Sequence, residues 1–256
     1  MAEGRPGPTG TLILLRHGPS TTNAEGRFTG WADVPLTVHG ANEAVEAAQL
    51  LVREGLVPDV VHTSPMLRAI RSADLVLAEL DRLWIPVQRT WRLNERQYGA
   101  LTGCLKREIS AEAGADRYRH WRRSLHGRPA PLPPEALARL RADPRYAGLR
   151  PDAVPAVESL ADMTVRVTPY WADVIAPQLL GGATVLVVAH GNSLRALATV
   201  LDRLTENEVR DLNIPTGAPL RYDFDTTLRP LIRGGTYLNP ARARAGAERV
   251  AAEGRP

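Results

Sequence analysis

LILLRHGPSTTN, Leu12 to Asn23, joins a short apolar run to a polar turn through Arg16-His17-Gly18-Pro19. The run begins at Thr11 and reads TLILLR. It is continuously apolar and bounded, as a strand buried on both faces is. Its end delivers an arginine and a histidine side by side. The same punctuation recurs late in the chain, where ATVLVVA over Ala183–Ala189, the strongest strand signal, runs into His190-Gly191-Asn192-Ser193. In open α/β sheets, ligands bind at the carboxyl ends of strands, beside helix N-termini whose free N–H groups suit anions. Two histidines at two such ends can converge on one point.

Between these strands, helix and strand signals alternate. Apolar residues from Thr37 to Val52 repeat at helical spacing behind Thr37, a candidate N-cap. Pro58–Thr63 reads as a strand, Pro65 as the opening of the next helix, and Ile85–Arg89 as a short third strand. Leu160–Leu180 is a long amphipathic segment with Trp171 and Ile175 on one face, and a helix begins near Asn192. Ala218–Phe224 and Leu228–Ile232 read as further strands. This alternation predicts an α/β fold: a single three-layer domain with a mostly parallel sheet flanked by helices on both faces. Gly99–Pro155 is long, basic and proline-rich, the signature of a helical or loop insertion over an active site. The expected division is a flexible tail over 1–10, a domain over 11–233 with its insertion over 99–155, and a mobile tail over 234–256.

The 256 residues suffice for one large domain or two small ones, and the net charge is only +4. Arginine far outweighs lysine, and its planar fork suits phosphate and carboxylate. Cys104 is the only cysteine, so no disulfide framework exists and a reducing, cytoplasmic setting is expected. The six histidines show no metal-binding spacing, so no metal site is expected. The first ten residues lack the apolar core of a signal peptide, and no apolar run approaches the roughly 18 residues that span a bilayer.

Arg16 ends the first strand, and Arg68 follows the second in TSPMLRA. With His17 and His190 they make a pocket suited to a dianionic phosphoryl group. Neighbouring cations favour neutral imidazole, which leaves a ring lone pair free for attack. Phosphoryl transfer to or from an alcohol also needs a proton carrier, and Glu95 in LNER follows the third strand. The cluster Arg117, Arg119, Arg122, Arg123 and Arg128, interleaved with aromatics, reads either as a solvated basic helix or as a nucleic-acid patch. No nucleic-acid module surrounds it, so no nucleic-acid partner is expected.

LLRHGPSTTN, RFTGWADVPLT, TSPMLRAIRSA, LNERQYGALTG, WRRS, DPRYAGL, VVAHGNSLRAL and LNIPTGAPLRYDF run in order through the chain. Together they resemble the cofactor-dependent phosphoglycerate mutases of the histidine phosphatase superfamily, from about Leu12 to Ile232. The resemblance implies interconversion of 3-phosphoglycerate and 2-phosphoglycerate, with 2,3-bisphosphoglycerate as phosphoryl primer and no metal. It makes His17 the nucleophile, Glu95 the general acid/base, and Arg16, Arg68 and His190 the groups that bind the phosphoryl group. Ser20, Asn23, Thr29, Gly30, Gly191 and Asn192 fall on pocket positions. Tyr98, Lys106, Arg122 and Arg123 match residues that hold the carboxylate and second phosphate. A homodimer or homotetramer is common in the family. Pro19 and Gln97 depart from its pattern, standing where glutamate and histidine are usual. The alternative is a phosphatase of the same superfamily acting on small phosphate esters, which would use the same His17 and admit water to the intermediate. A phosphate-dependent binding protein without catalysis is the third reading.

Overall fold

The structure, a computed structural model, describes residues 9–253, so most of the expected N-terminal tail lies outside the described residues. Strands β1 (Thr11–Arg16), β2 (Val60–Thr63), β3 (Val87–Arg89), β4 (Val185–Ala189), β5 (Leu220–Asp223) and β6 (Thr236–Tyr237) form one sheet. Their order is β3-β2-β4-β1-β5-β6. β1, β2, β3 and β4 pair in parallel, whereas β5 and β6 are antiparallel to their neighbours. The two best strands of the sequence are thus adjacent, with Arg16 level with Ala189. That register brings His17 and His190 to one edge.

Side chains of a strand point alternately to the two faces, and both faces of β1 and β4 are covered. Ile13, Leu15, Leu186 and Val188 pack under α2 (Val38–Arg53) and α3 (Leu67–Glu79), through Ala44, Ala48, Leu51, Ala73 and Leu77. Leu12, Leu14, Val185 and Val187 pack on the other side against α7 (Leu160–Tyr170), α8 (Ala176–Leu180) and α9 (Gly191–Asp202). Two cores separated by a sheet make the three-layer arrangement.

Local chemistry sets the helix starts. The Thr37 side chain accepts from the Gly40 N–H at 2.9 Å and caps α2. α3 begins at Leu67 rather than at Pro65, with Asp33 accepting from the Leu67 N–H. The segment Leu160–Leu180 is not one regular helix. Pro169 sits inside α7 and offers no N–H, and the next turn, Trp171–Ile175, widens to π geometry before α8. Leu228–Ile232 is not a strand. Leu228 has a φ of 58°, Leu231 and Ile232 are exposed, and the stretch meets the end of β5 through a Phe224–Pro230 bridge and a bond from Leu231 N to Asp223 O at 2.8 Å.

The 99–155 segment holds α4 (Lys106–Ala113), α5 (Ala115–Arg123) and α6 (Pro134–Arg141). Backbone bonds from Ala100 N to Ala130 O and from Leu132 N to Ala156 O tie its start and the residue after its end to its middle. A short helix, α10 (Glu206–Asp211), follows α9, and the tail expected over 234–256 contains β6 and a further helix, α11 (Pro240–Ala252), capped by Asn239 and seated through buried Ala243 and Gly246. No helix among the described residues is long and apolar enough to cross a membrane.

Candidate active site

His17 follows β1 by one residue and is buried. The turn that carries it is fixed by two glycines: a Cβ on Gly18 would lie 2.2 Å from the Gly40 carbonyl oxygen, and one on Gly40 2.3 Å from that of Pro19. Only backbone on backbone fits there. The His17 Nδ1 lies 2.6 Å from the Gly18 carbonyl oxygen, which can only accept, so Nδ1 carries the proton. Nε2 therefore keeps its lone pair and accepts from Arg68 Nε at 3.3 Å. Burial, then the charges of Arg68 and Arg16, push His17 well below 6.5, so the ring is neutral at pH 7.

Arg68 stands on the buried face of α3 and is itself tethered, donating to Ala32 O at 2.8 Å and Gly30 O at 3.0 Å. Burial lowers it to about 10, against the pull of Glu95 and Asp33, which leaves it a cation at neutral pH. Arg16 donates to Ile214 O at 2.8 Å, while its Nε is buried without a partner. His190, the N-cap of α9, meets His17 edge-on with ring centroids 4.9 Å apart. Its Nε2 lies 2.7 Å from Ser64 Oγ and its Nδ1 is buried without a partner. Burial and the Arg68 charge hold it well below 6.5 also.

Glu95 lines the same cavity. Its Oε1 accepts from Arg96 N at 2.7 Å and from the Asn192 amide at 2.9 Å, and Asn192 also donates to the Tyr98 hydroxyl at 2.8 Å. Beyond it stand Lys106, Arg122 and Arg123. Glu253 reaches in from the end of α11, and its Oε2 lies 2.5 Å from both Lys106 Nζ and Arg122 Nη2. Burial would raise the Glu253 carboxyl, but Lys106, Arg122 and Arg16 outweigh it and pull it down to about 2. The remaining free volume, about 60 Å³, holds only a few waters. A cavity of about 560 Å³ adjoins it, and Glu253, Arg122 and Arg123 line both.

The structure thus brings Arg16, His17, Asn23, Thr29, Gly30, Arg68, Glu95, Tyr98, Lys106, Arg122, Arg123, Gly191 and Asn192 to one cavity. Two expected residues are not in its wall. His190 touches it through His17, and Ser20 touches it through Asn23, with which it forms the capping box of α1 (Thr21–Ala24). Of the basic cluster, Arg122 and Arg123 face the cavity, while Arg117 and Arg119 stay exposed. Sequence reasoning missed Arg27, Arg195, Asn213 and Glu253, which also line it. Arg195, three residues after Asn192 on α9, was legible by helical spacing, and it donates to Asn192 Oδ1 at 2.9 Å. Nothing in the sequence marked Glu253. Among the described residues, no group of three or more His, Cys, Asp or Glu side chains is placed to hold a metal ion.

The family model of the histidine phosphatase superfamily (branch 1) matches residues 12–145 and 132–229. The 2,3-bisphosphoglycerate-dependent phosphoglycerate mutase of Mycobacterium bovis is 53% identical over 247 residues, covering 96% of this chain and 98% of the relative. The chain belongs to the histidine phosphatase superfamily, in its phosphoglycerate mutase family. The mutase of the same name from Streptomyces griseus is 52% identical, covering 95% of this chain and 96% of its own. Among solved structures, mycobacterial glucosyl-3-phosphoglycerate phosphatase bound to VO3 superposes with a TM-score of 0.68 at 23% identity. The match covers 89% of this chain and 100% of that one. That likeness shows that the fold is that of the superfamily.

Proposed function

We propose that this chain interconverts 3-phosphoglycerate and 2-phosphoglycerate in glycolysis and gluconeogenesis, through a phosphohistidine at His17. The observation that carries the reading is the His17 Nε2 lone pair, left free inside an arginine-lined cavity by the bond from Nδ1 to Gly18. The relatives of 53% and 52% identity are named for the activity.

2,3-Bisphosphoglycerate, when bound, supplies the phosphoryl group that primes His17. The chain's residues fit so charged a molecule: Arg16 Nε is buried without a partner, and Lys106 and Arg122 share the single carboxylate of Glu253. In each transfer to the enzyme, Nε2 forms a bond to phosphorus while the bond from phosphorus to the ester oxygen breaks. Glu95 gives its proton to that departing oxygen. In the reverse direction Glu95 takes the proton of the attacking hydroxyl as the phosphorus–nitrogen bond breaks. Arg16 and Arg68 stabilise the charge on the transferring group, and His190 orients His17, so the sequence needs no metal ion. Tyr98, Lys106, Arg122 and Arg123 hold the carboxylate and the second phosphate. Asn23, Thr29, Gly30, Gly191 and Asn192 shape the wall.

A mutase must keep water from its phosphohistidine. The 99–155 insertion and α11 are the cover, with Glu253 giving way to substrate. A cytoplasmic location and assembly into a homodimer or homotetramer belong to the same reading. Phosphorus NMR of the enzyme with 3-phosphoglycerate and a trace of bisphosphate tests it. A growing 2-phosphoglycerate signal is expected; orthophosphate without that signal makes the enzyme a phosphatase.

A further inference from the structure

Outside the cavity, one buried charge pair has no part in the chemistry above. Arg166 on α7 and Glu158 just before it are buried, with Arg166 Nε 2.6 Å from Glu158 Oε1. Removing two charges from water is costly, and a pair of well-packed apolar residues is often as stable or more so. The contacts show what this pair does instead. Arg166 spreads its fork over the backbone that leads to Glu95. Nη1 donates to Arg92 O at 2.5 Å, and Nη2 to Asn94 O at 2.9 Å and Glu95 O at 3.1 Å.

Glu158 holds the next step of the same loop. Its Oε2 accepts from Gln97 N at 2.8 Å, and its carbonyl accepts from Arg96 Nε at 2.8 Å. The Glu95 carbonyl receives a second donor, Trp31 Nε1, at 2.6 Å. Segment 92–97 has no regular ladder of its own beyond a single 3-10 turn, Trp91–Leu93. Without such partners its carbonyls would be buried and unpaired. A planar fork with five donors answers several carbonyls at once; an ammonium on a flexible stem does not.

We infer that Glu158 and Arg166 are positioning residues for Glu95. Their ion pair fixes the loop so that the Glu95 carboxyl stands at the ester oxygen that gains or loses a proton. This rests on Glu95 being the proton carrier. Displacement of a catalytic group by an ångström costs roughly a hundredfold in rate, so the dyad should show in turnover well before it shows in binding.

The test uses leaving-group chemistry. An aryl phosphate such as p-nitrophenyl phosphate releases a phenolate that needs no proton, so its transfer to His17 is blind to Glu95. Transfer from a phosphoglycerate is not. Arg166→Lys and Glu158→Gln are each compared with wild type and with Glu95→Gln on both substrates. The expected result is a mutase kcat lower by roughly 10- to 100-fold, KM within about threefold, and a pre-steady-state burst of nitrophenolate, which reports transfer to His17 alone, within about twofold of the wild-type rate. Equal losses on both substrates, or no loss in a folded variant, overturn the proposal. Should both variants lose the native fold, Trp31→Phe frees the same Glu95 carbonyl of a donor and must give the same selective loss, or the proposal fails. Glu95→Gln separates the two readings. If it lacks the selective loss, the proton-carrier role is wrong; if it has the loss and the dyad variants do not, only the positioning role is wrong.

Discussion

Arg68 Nε stands 3.3 Å from His17 Nε2, the nitrogen whose lone pair the opposite bond to Gly18 leaves free. In the proposed reaction, a cation aimed at the nucleophile serves twice. It holds the imidazole neutral before transfer, and it faces the phosphoryl oxygens once the nitrogen is bonded to phosphorus. Arg68→Gln keeps a donor but loses the charge. We expect its kcat to fall by about 100- to 1,000-fold, the range for losing one electrostatic stabiliser, with circular dichroism unchanged. Steady-state kinetics at saturating substrate checks this, and a loss under tenfold contradicts it.

His17 and His190 also leave a thermodynamic mark. Both are held well below 6.5 by burial and by Arg68, so the folded protein leaves them neutral while the unfolded chain protonates them as pH falls through about 6.5. The unfolded state then binds more protons, and stability declines from that point downward. Each histidine adds a slope of at most about 1.4 kcal/mol per pH unit. Urea unfolding at pH 7.5 and 5.5 should show lower stability at 5.5, and His190→Asn should flatten that dependence. An unchanged slope in the variant contradicts the assignment.

Glu253 occupies Lys106 and Arg122, the cations that the proposed reaction assigns to its anionic substrate. Its carboxylate, pulled down to about 2, stays charged at any working pH. Glu253→Gln removes the competing charge and keeps the shape. With about 1 kcal/mol for the partly exposed pair, KM for 3-phosphoglycerate should drop roughly fivefold. A KM that stays or rises would show that Glu253 helps substrate instead of yielding to it.

How far the sequence carried depended on burial. β1 was legible to the residue and β4 to within two, because strands covered on both faces are continuous apolar runs. Leu228–Ile232 is interrupted by Arg229 and Pro230, a turn at Asp225–Leu228 leads into it, and Leu231 and Ile232 face solvent. α11 carries no helix signal of the usual kind, because only Ala243 and Gly246 along it are buried, too little for an apolar stripe. His17, Arg68, Glu95 and Asn192 were legible because they follow strands or open helices at the carboxyl edge of the sheet. Glu158 and Arg166 were not: charged residues in or just before an amphipathic segment look solvated, and their burial is decided by the loop packed on them. Glu253 was hidden for the same reason, since its partners Lys106 and Arg122 are remote in sequence.

The central claim is that His17 accepts the phosphoryl group at Nε2. The measurement is to react the enzyme briefly with labelled 2,3-bisphosphoglycerate, quench in alkali, and locate the label by tandem mass spectrometry and phosphorus NMR. The account predicts an acid-labile, alkali-stable phosphohistidine at His17, bonded through Nε2 and absent in His17→Ala. A label on His190, on His17 Nδ1, or persisting in His17→Ala would contradict it.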